Sequence, residues 1–548
     1  MNYLPETNYL METFDISSDS WMHKIADQKL SQTTIDLNKL KQAVPKDATD
    51  AADFIADQIP SCLSFNAESG KWYVWNGKVH TPLTVNTVPM QLIDILGYAF
   101  KNLDALLDEY IRTGVASIKA ANKTDGETAK DIANFTAPIT MVRKEWQSVA
   151  LSLNSNKGVK DVLDKLSRRV SKSNAHFEDD RQWLVVRNGV IDIPRYRATG
   201  AVKLLAHCAS RPVYRYFDAD YYPAAAAETW RRFLTSSIID SDTVRLLQKA
   251  VGAAFGAEEK PRALFNLLGA PASGKSVFLS VFNRLGQAYS VMPNNQAIQL
   301  NNGDTNFYQD ALRGARFVGF SEVQGKKPLD DGFLKGVLGG DQQETRQMRQ
   351  TPNVWKPQCV LFIASNMPLK FDTRDEATFI KILPVPFPHS FTETDPEHQM
   401  DRELEAKVLE ERSGILSWVL EGMGMFWTEG LAPTAAVMAA MDNNKTANSH
   451  SLQFMEALIE SGLIEEDNMA PVSGCLAIGT AYEMFRYWAE AQGIKSIPGK
   501  QTFISDVADF YHGKKRSGSW MFVGLKHSPK LQVDVHNGIS FSHIARNL

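Results

Sequence analysis

The stretch that decides the fold is Gly269-Ala270-Pro271-Ala272-Ser273-Gly274-Lys275-Ser276. It follows the apolar run 263–268 and precedes the apolar segment 277–285, so a buried strand leads into it and a helix leaves it. In that setting the pattern G-x-x-x-x-G-K-[ST] predicts a phosphate-binding loop. We expect its backbone N–H groups, together with the positive end of the helix, to face the phosphates of a nucleotide.

The residues of this loop have distinct chemical tasks. Gly269 and Gly274 allow the backbone to close tightly around an anion. Lys275 has the reach and the charge to contact the β- and γ-phosphates, and the Ser276 hydroxyl is a ligand for Mg²⁺. All eight residues are therefore predicted to bind a nucleoside triphosphate with Mg²⁺.

Composition limits the remaining possibilities. The chain has 548 residues, 44% hydrophobic and 22% charged, with a formal net charge of −4, which is typical of a soluble globular protein with about three or four domains. It contains no apolar stretch near the ~20 residues of a membrane span, and its acidic, polar start does not resemble a signal peptide. Any contact with nucleic acid must be concentrated in local basic patches.

The cysteines point to a reducing compartment. The chain has four, and they are scattered without a C-x-x-C pair: Cys62, Cys208, Cys359 and Cys475. This spacing favours neither a disulfide framework nor a zinc ribbon. We expect a cytoplasmic protein.

Two further strands are predicted to bring polar groups to the phosphate loop. The apolar run 316–320 ends in Ser321-Glu322, and the run 359–365 ends in Asn366. Glu322 is expected to polarise the attacking water and to hold Mg²⁺, since a phosphate-loop enzyme needs a carboxylate there. Asn366 can bridge that water and the γ-phosphate without adding negative charge. The alternative for Glu322 is a plain surface carboxylate at a strand end.

The segments before the loop combine hairpins and helices. Asn-Gly turns at 76–77 and 188–189 predict two β-hairpins, within 71–79 and 183–193. Helical spacing predicts helices over 90–118, 142–153 and 159–170, with a break at 122–128. Basic residues cluster near the last of these helices: Lys160, Lys165, Arg168, Arg169 and Lys172. A solvated helix face is the simpler interpretation of this cluster, and a DNA patch is the alternative.

The last hundred residues predict a small DNA-binding domain. Helical stretches over 451–461, 479–492 and 502–511 precede the basic, hairpin-like segment 514–525, which is the order of a winged helix. Its expected phosphate contacts come from the recognition helix and the wing: Lys500, Lys514, Lys515 and Arg516. A solvated hairpin without DNA is the alternative.

Taken together and in order, these motifs resemble the superfamily 3 helicases of the phage and plasmid primase-helicase type, the group that includes the poxvirus primase-helicase. The resemblance covers roughly residues 60–530. Besides the phosphate loop, it rests on Ser321-Glu322, Leu334-Lys335, Gly339-Gly340-Asp341, Trp355-Lys356-Pro357, Ser365-Asn366-Met367-Pro368 and Pro384-Val385-Pro386-Phe387. Weaker upstream matches are Trp72 with Trp75, Asn188-Gly189 with Asp192, and Phe217-Asp218 with Pro223.

The resemblance implies a homo-oligomeric ring, usually a hexamer, that hydrolyses ATP between neighbouring subunits and moves along single-stranded DNA. By analogy Lys335, Arg346 and Arg349 lie near the DNA-facing or inter-subunit side. The chain departs from the family where paired arginines usually stand, because it has Phe379-Ile380-Lys381 there. The finger that acts in trans is then Lys381, which lacks the bidentate fork of arginine, or Arg374.

The resemblance also implies a domain plan. The fold class is α/β, with a P-loop AAA+-like ATPase core, an α+β N-terminal domain and a C-terminal winged-helix domain. The expected units are a polar helical segment (1–60), an α+β domain (61–240), the ATPase (241–430), a lid or linker (431–450) and the winged helix (451–548).

The function expected from the sequence is an ATP-dependent DNA helicase for phage or mobile-element replication, located in the host cytoplasm if phage-encoded. Its partners would be single-stranded and forked DNA, further copies of itself, and a separate primase with other replication proteins. Primer synthesis by this chain is not expected, because residues 1–60 show neither zinc-ligand cysteines nor an acidic metal triad. The alternatives are an ATP-switched origin-binding initiator and a non-motor nucleotide-binding scaffold.

Overall fold

The computed structural model describes residues 46–548 except for short gaps, and it shows a mixed α/β protein. The gaps are 59–60, 84–103, 106, 122–123, 174–175, 178–179, 224, 239, 257–259, 301–305, 324–327, 346–352, 371–379, 468–470, 473–474, 495–496, 509, 517–518, 532–539 and 547. Among the described residues no helix combines the length and the apolarity needed to cross a bilayer.

The first unit combines a small sheet with helices. Its elements are α1 (Ala48–Gln58), β1 (Leu63–Asn66), β2 (Lys71–Trp75), β3 (His80–Leu83), α2 (Asp125–Leu153), α3 (Asn156–Arg169) and β4 (Ser171–Lys172). The sheet order is β3-β2-β1-β4, with β4 parallel to β1 and the other pairs antiparallel. The predicted turn between β2 and β3 is confirmed. Asn76 Oδ1 accepts hydrogen bonds from the N–H groups of Lys78 (3.0 Å) and Val79 (2.9 Å), and Gly77 has a φ of 91°.

The helices of this unit differ from the sequence prediction. The break expected at 122–128 is shorter, because α2 already begins at Asp125 and continues through Pro138. The Glu127 carboxylate holds this start by accepting from the Thr124 hydroxyl (2.7 Å) and the Thr124 N–H (3.4 Å). Of the helix predicted over 90–118, residues 84–103 lie outside the described part, and a helix is present over 107–119.

The second unit holds the next hairpin. It comprises β5 (Trp183–Val186), β6 (Gly189–Asp192), α4 (Ile193–Thr199), β7 (Leu204–Leu205), α5 (Glu228–Ser237) and α6 (Ser241–Phe255). Strands β5, β6 and β7 form an antiparallel sheet, which confirms the predicted hairpin around 188–189. Leu184, Phe217 and Trp230 belong to the same hydrophobic cluster as Phe265 of the next unit. The predicted boundary at 240/241 therefore falls inside one hydrophobic core.

A parallel five-stranded sheet forms the centre of the molecule, in the order β14-β8-β13-β10-β9. Its strands are β8 (Leu264–Gly269), β9 (Ser290–Val291), β10 (Phe317–Phe320), β13 (Val360–Ser365) and β14 (Ile382–Phe387). Strands β10 and β13 are buried along their whole length, as expected for a parallel sheet covered on both faces. Pro384 and Pro386 lack N–H donors, so β14 suits the edge it occupies.

Helices cover the sheet, and a second hairpin projects from it. The elements are α7 (Lys275–Gly286), α8 (Asn306–Gln309), α9 (Asp331–Gly339), β11 (Gln343–Thr345), β12 (Asn353–Trp355), α10 (Leu404–Glu410), α11 (Arg412–Glu429) and α12 (Ala435–Asn448). Strands β11 and β12 pair antiparallel. The segment predicted as a lid or linker is the helix α12, whose Val437 is buried in the main core.

The C-terminal unit has its own core. It consists of α13 (His450–Glu460), β15 (Ile464–Glu466), β16 (Cys475–Ala477), α14 (Ile478–Ala491), α15 (Lys500–Val507), β17 (Gly513–Arg516), β18 (Ser519–His527) and α16 (Phe541–Arg546). Strand β18 pairs antiparallel with β15, β16 and β17. Three helices around Phe454, Phe485 and Phe503 enclose a separate hydrophobic cluster, and the β17–β18 hairpin follows them.

Candidate nucleotide-binding site

The loop of residues 269–276 joins β8 to α7 at the carboxyl edge of the parallel sheet. It closes at Gly274, whose φ is 94°. A Cβ atom at this position would lie 2.7 Å from the Phe233 ring and 2.9 Å from Ser237 Oγ. Both the backbone conformation and the contact with α5 therefore require glycine here, directly before the first turn of α7.

Lys275 is held inside the 269–276 loop. Its ammonium group donates hydrogen bonds to Gly269 O (2.8 Å), Ala270 O (2.7 Å) and Ser273 Oγ (2.8 Å). The side chain is buried, and this burial lowers the pKa of Lys275 below its ordinary value. The cation thus lies at the N-terminus of α7, where a charged side chain and the helix dipole act on the same anion. Ser276, in the first turn of α7, is exposed.

The two predicted strand tips lie beside the loop. Asn366 directly follows β13, which neighbours β8, and Glu322 follows β10, the next strand in the sheet. Since neighbouring strands are about 4.8 Å apart, Asn366 is one strand and Glu322 two strands from the end of β8. Both side chains are exposed at the carboxyl edge. The fold therefore gathers Lys275, Glu322 and Asn366 at one edge of the sheet.

Glu322 has a strained backbone. Its φ is 53°, in the left-handed region that residues other than glycine seldom adopt. Two hydrogen bonds impose this bend: the Asn295 side chain donates to Ser321 O (3.0 Å), and Val323 N–H donates to Ala364 O of β13 (3.0 Å). Strain of this kind concentrates at functional sites.

The groups at this edge suit a magnesium nucleotide. The Ser276 hydroxyl and the Glu322 carboxylate are the oxygen ligands that Mg²⁺ prefers, and Mg²⁺ commonly completes its coordination with phosphate and water. Among the described residues there is no grouping of three or more His, Cys, Asp and Glu side chains that would hold a metal without such help.

A segment for which the sequence predicted no role braces the loop. Residues 388–400, which follow β14 and which we call the strap, bind the loop twice. The Ser390 hydroxyl donates to Pro271 O (2.8 Å), and Phe391 N–H donates to Ala272 O (3.0 Å). Within the strap, the rings of His389 and His398 stack with centroids 4.1 Å apart. No local sequence pattern signals these contacts, because they depend on β14 lying next to β8.

A buried ion pair fixes the opposite end of β10. Arg316, the residue before this strand, donates to Asp180 Oδ1 (3.1 Å) and to Asp180 O (2.8 Å), and it lies over the Tyr289 ring at 4.3 Å. Arg215 also pairs with the Asp180 carboxylate (3.1 Å). Arg316 and Asp180 are both almost fully buried, so removing the Asp180 carboxylate would leave Arg316 as an uncompensated buried cation.

The residues proposed to act between subunits are only partly described. Lys381 directly precedes β14, and its carbonyl accepts from Leu264 N–H (2.8 Å) at the start of β8. It therefore lies at the amino edge of the sheet, a full strand length from the 269–276 loop of its own chain. Arg374, Arg346 and Arg349 lie outside the described residues, the last two between β11 and β12. Lys335 is half-buried in α9.

The predicted DNA contacts of the C-terminal unit lie on two neighbouring elements. Lys500 is exposed at the start of α15, and Lys514 and Lys515 are exposed on β17. Lys515 lies opposite the exposed Trp520 of β18, and Arg516 occupies the last position of β17.

Comparisons with known proteins agree with the resemblance seen in the sequence. Residues 52–238 match the family described as D5 N terminal like, and residues 267–378 match a family of unknown function. A helicase-named protein of Acanthamoeba polyphaga mimivirus is 22% identical over 306 residues, which are 54% of this chain. The chain spans 30% of the length of that relative.

The chain also aligns with solved structures. Two apo structures of the C-terminal region of NrS-1 align with it at a TM-score of 0.34 each. Their sequences are 13% and 11% identical to this chain. The alignments cover 62% and 60% of this chain and 92% of each of the two NrS-1 chains. The match of residues 52–238 to the D5 N terminal like family, together with the helicase-named relative, supports the resemblance of this chain to the phage-type primase-helicases.

Proposed function

We propose that this chain is an ATP-dependent DNA helicase for the replication of a phage or mobile element, working as a homo-oligomeric ring. The observation that carries the proposal is the convergence of Lys275, Glu322 and Asn366 at one edge of the parallel sheet. The strand order β14-β8-β13-β10-β9, with the loop directly after β8, supports an AAA+-like ATPase core. The helicase-named relative supports the same direction.

Each residue at the edge has a defined task in this proposal. Lys275 and the first N–H groups of α7 bind the phosphates. The Ser276 hydroxyl and the Glu322 carboxylate would hold Mg²⁺, and the bound ion would supply positive charge opposite the transferred phosphoryl group. Glu322 orients and deprotonates the attacking water. Asn366 donates to the γ-phosphate from the neighbouring strand tip. Lys381 or Arg374 acts on the site of a neighbouring subunit.

The position of Lys381 supports action in trans rather than in cis. It lies at the amino edge of β14, and β14 is six residues long, or about 20 Å at the usual rise of a strand. A lysine side chain cannot cover that distance to the loop of its own chain. An adjacent copy in a ring would present its own loop to this residue.

The C-terminal unit supports a contact with duplex DNA. The order of α13, β15, β16, α14, α15 and the β17–β18 hairpin is that of a winged helix, with α15 as recognition helix and the hairpin as wing. Lys500 and the exposed Lys514 and Lys515 are placed to neutralise phosphates. Primer synthesis is not part of the proposed activity.

The proposal is tested by substitutions at the loop and at the β10 tip. Lys275→Ala is expected to lose both nucleotide binding and DNA-stimulated ATP hydrolysis. Glu322→Gln is expected to keep nucleotide binding, because the loop contacts to the phosphates remain, and to slow hydrolysis by roughly 10²–10⁴-fold, because the carboxylate that activates water and holds Mg²⁺ is lost. Lys203→Ala, an exposed lysine in the second unit, is the matched control and should hydrolyse ATP like the wild type.

Strand displacement on a forked duplex decides between the helicase and its alternatives. Melting costs about 1.4 kcal/mol per base-pair step, so displacement must depend on hydrolysis. ATP hydrolysis without displacement would favour an origin-binding initiator instead. Nucleotide binding without any DNA-stimulated hydrolysis would favour a non-motor scaffold.

A further inference from the structure

The strap of residues 388–400 carries three aromatic rings next to the 269–276 loop. His389 and His398 stack with an interplanar angle of 18°, and Phe391 meets His398 edge-on at 5.9 Å. All three side chains are partly exposed. A planar group can therefore extend the stack from solvent.

The backbone of the strap fixes these rings in place. Thr392 and His398 are linked by a hydrogen bond from Thr392 N–H to His398 O (3.0 Å). The Asp395 carboxylate accepts from the N–H groups of Glu397 (2.9 Å) and His398 (3.1 Å), and these bonds lower the pKa of Asp395. Together with the two bonds to Pro271 and Ala272, they hold the backbone of the strap against the loop, and the His398 Nδ1 lies 3.6 Å from the Asp395 carboxylate.

The order of the strands gives the direction in which a bound nucleotide runs. Glu322 and Asn366, the candidate groups for the terminal phosphate, follow β10 and β13 and so lie on one side of β8. Strand β14 and the strap lie on the other side. A triphosphate whose reactive end points to Asn366 therefore directs its nucleoside toward the strap.

A cavity near α6 offers no aromatic partner to a base. This cavity, of about 540 Å³, lies between α6 and the start of α12, and its described lining has no aromatic ring. It has four charged side chains instead, namely Asp240, Asp242, Arg245 and Lys249. A nucleobase would leave water there without gaining a stacking contact, so the strap is the better site.

We propose that the strap is the nucleobase subsite, in which the ring group His389, Phe391 and His398 stacks on the base of the bound nucleoside triphosphate. This inference rests on the proposed function, because it assumes that the 269–276 loop holds the phosphates. Stacking needs only a flat π-face, so it supports nucleoside triphosphates as a class rather than one base. The gain from stacking is separate from the phosphate contacts of Lys275.

The test compares two ligands by titration calorimetry on the full chain, with Mg²⁺ present: ATP and inorganic tripolyphosphate. Base stacking contributes on the order of 1–3 kcal/mol by alanine substitution, which corresponds to roughly 5- to 150-fold in affinity. The double variant His389→Ala with His398→Ala is therefore expected to weaken ATP binding about tenfold or more and to leave the affinity for tripolyphosphate unchanged. Phe391→Leu should act in the same direction, since it removes a ring but keeps the N–H that binds Ala272.

The controls separate stacking from support of the loop. His389→Phe with His398→Phe keeps two flat rings and should bind ATP like the wild type. Lys275→Ala should lose both ligands. An equal loss of ATP and tripolyphosphate in the alanine variant would mean that the strap only supports the loop, and this would overturn the inference.

Failure of the inference and failure of the proposed function give different results. If the wild type binds neither ATP nor tripolyphosphate, the proposed function fails and the inference fails with it. If both ligands bind through Lys275 but ATP affinity is unaffected by loss of the rings, only the base subsite is refuted.

Discussion

Glu322 combines a candidate catalytic role with an unfavourable backbone conformation. Among the described residues, the non-glycine positions with positive φ are Ser61, Ala272, Gln287 and Glu322, and two of these four lie at the candidate site. A left-handed residue costs about 1–2 kcal/mol relative to its normal conformation. The structure keeps this cost at Glu322 because β13 holds Val323 from the other side. The bend turns the carboxylate-bearing residue out of the strand direction at the sheet edge.

Replacing Glu322 with glycine should raise stability while destroying hydrolysis. Glu322→Gly relieves the strain but adds the backbone entropy of glycine, so we expect a net gain of about 1 kcal/mol and a higher midpoint of thermal unfolding. Glu322→Gln keeps the conformation and is the control. A Gly variant no more stable than the Gln variant would show that the bend carries no strain.

The position of the 269–276 loop in the fold could be predicted from the sequence, but the backbone conformations of the site residues could not. Lys275 and Ser276 follow from local spacing alone, since eight consecutive residues define the loop. The partners of Arg316 do not, because Asp180 is 136 residues away along the chain and has no motif of its own. The same holds for the rings of the strap.

At the scale of elements, the helices α6 and α11 cross in close contact. A Cβ at Gly252 would lie 2.1 Å from Met423 N, and one at Gly422 would lie 2.1 Å from Gln248 O. The two backbones therefore touch, and each helix needs glycine at the crossing. The helices can approach this closely only because both positions lack side chains.

A methyl group at this crossing should be destabilising. Gly252→Ala forces the helices apart, and we expect a loss of about 1–3 kcal/mol, measured as a lower thermal midpoint. Gly126→Ala is the matched control, because Gly126 is also helical but has open space around its Cβ position. That variant should gain roughly 0.5–1 kcal/mol from better helix propensity. Similar behaviour of the two variants would contradict the close crossing.

The first unit should lose stability in mild acid because of His80. This side chain is buried at 3% exposure on β3, and its Nε2 lies 3.0 Å from Ala209 O. Burial lowers the pKa of His80 below the ordinary 6.5, and nearby His176 lowers it further. The unfolded chain then takes up the proton first as pH falls. The stability that neutral His80 contributes is present above about pH 6.5, and it is lost as the pH falls through the pKa of His80 in the folded protein.

Thermal unfolding at pH 7.5 and pH 5.5 measures this contribution. His80→Gln can still donate to Ala209 but cannot be protonated, so its two midpoints should lie closer together than those of the wild type. The exposed His543, replaced in the same way, is the control. An unchanged spacing between the two midpoints in His80→Gln would exclude a role for this residue.

The element scale also shows where local sequence rules succeed. Both Asn-Gly turns and the buried runs of β8, β10 and β13 follow from patterns a few residues long. The sequence pattern places the start of α2 too late, because the Thr124–Glu127 cap and the tolerated Pro138 outweigh the weak apolar spacing of 125–141. The sequence predicts a lid or linker at α12 because its asparagines favour turns although its alanines favour a helix, and packing of Val437 in the main core stabilises the helix.

At the scale of the whole molecule, a net charge of −4 means that the proposed DNA binding must depend on local basic patches. Lys514→Ala with Lys515→Ala should weaken duplex binding, and the slope of log affinity against log salt should become shallower by about 0.9 for each phosphate that is no longer neutralised. Lys203→Ala controls for the general effect of removing a lysine. Binding measured at several salt concentrations tests this, and an unchanged slope would assign the wing to another role.

The path of the main core has a practical consequence for anyone who shortens the gene. A product that begins at residue 241 would retain Lys275, Glu322 and Asn366, yet it would leave Arg316 without Asp180. It would also lack Phe217 and Trp230. Their ring centroids lie 5.1 Å from that of Phe255 and 5.5 Å from that of Phe282, respectively. The shortened protein would expose a hydrophobic surface to water and would contain Arg316 without its partner carboxylate. It would therefore precipitate more readily than a product that begins upstream of Asp180.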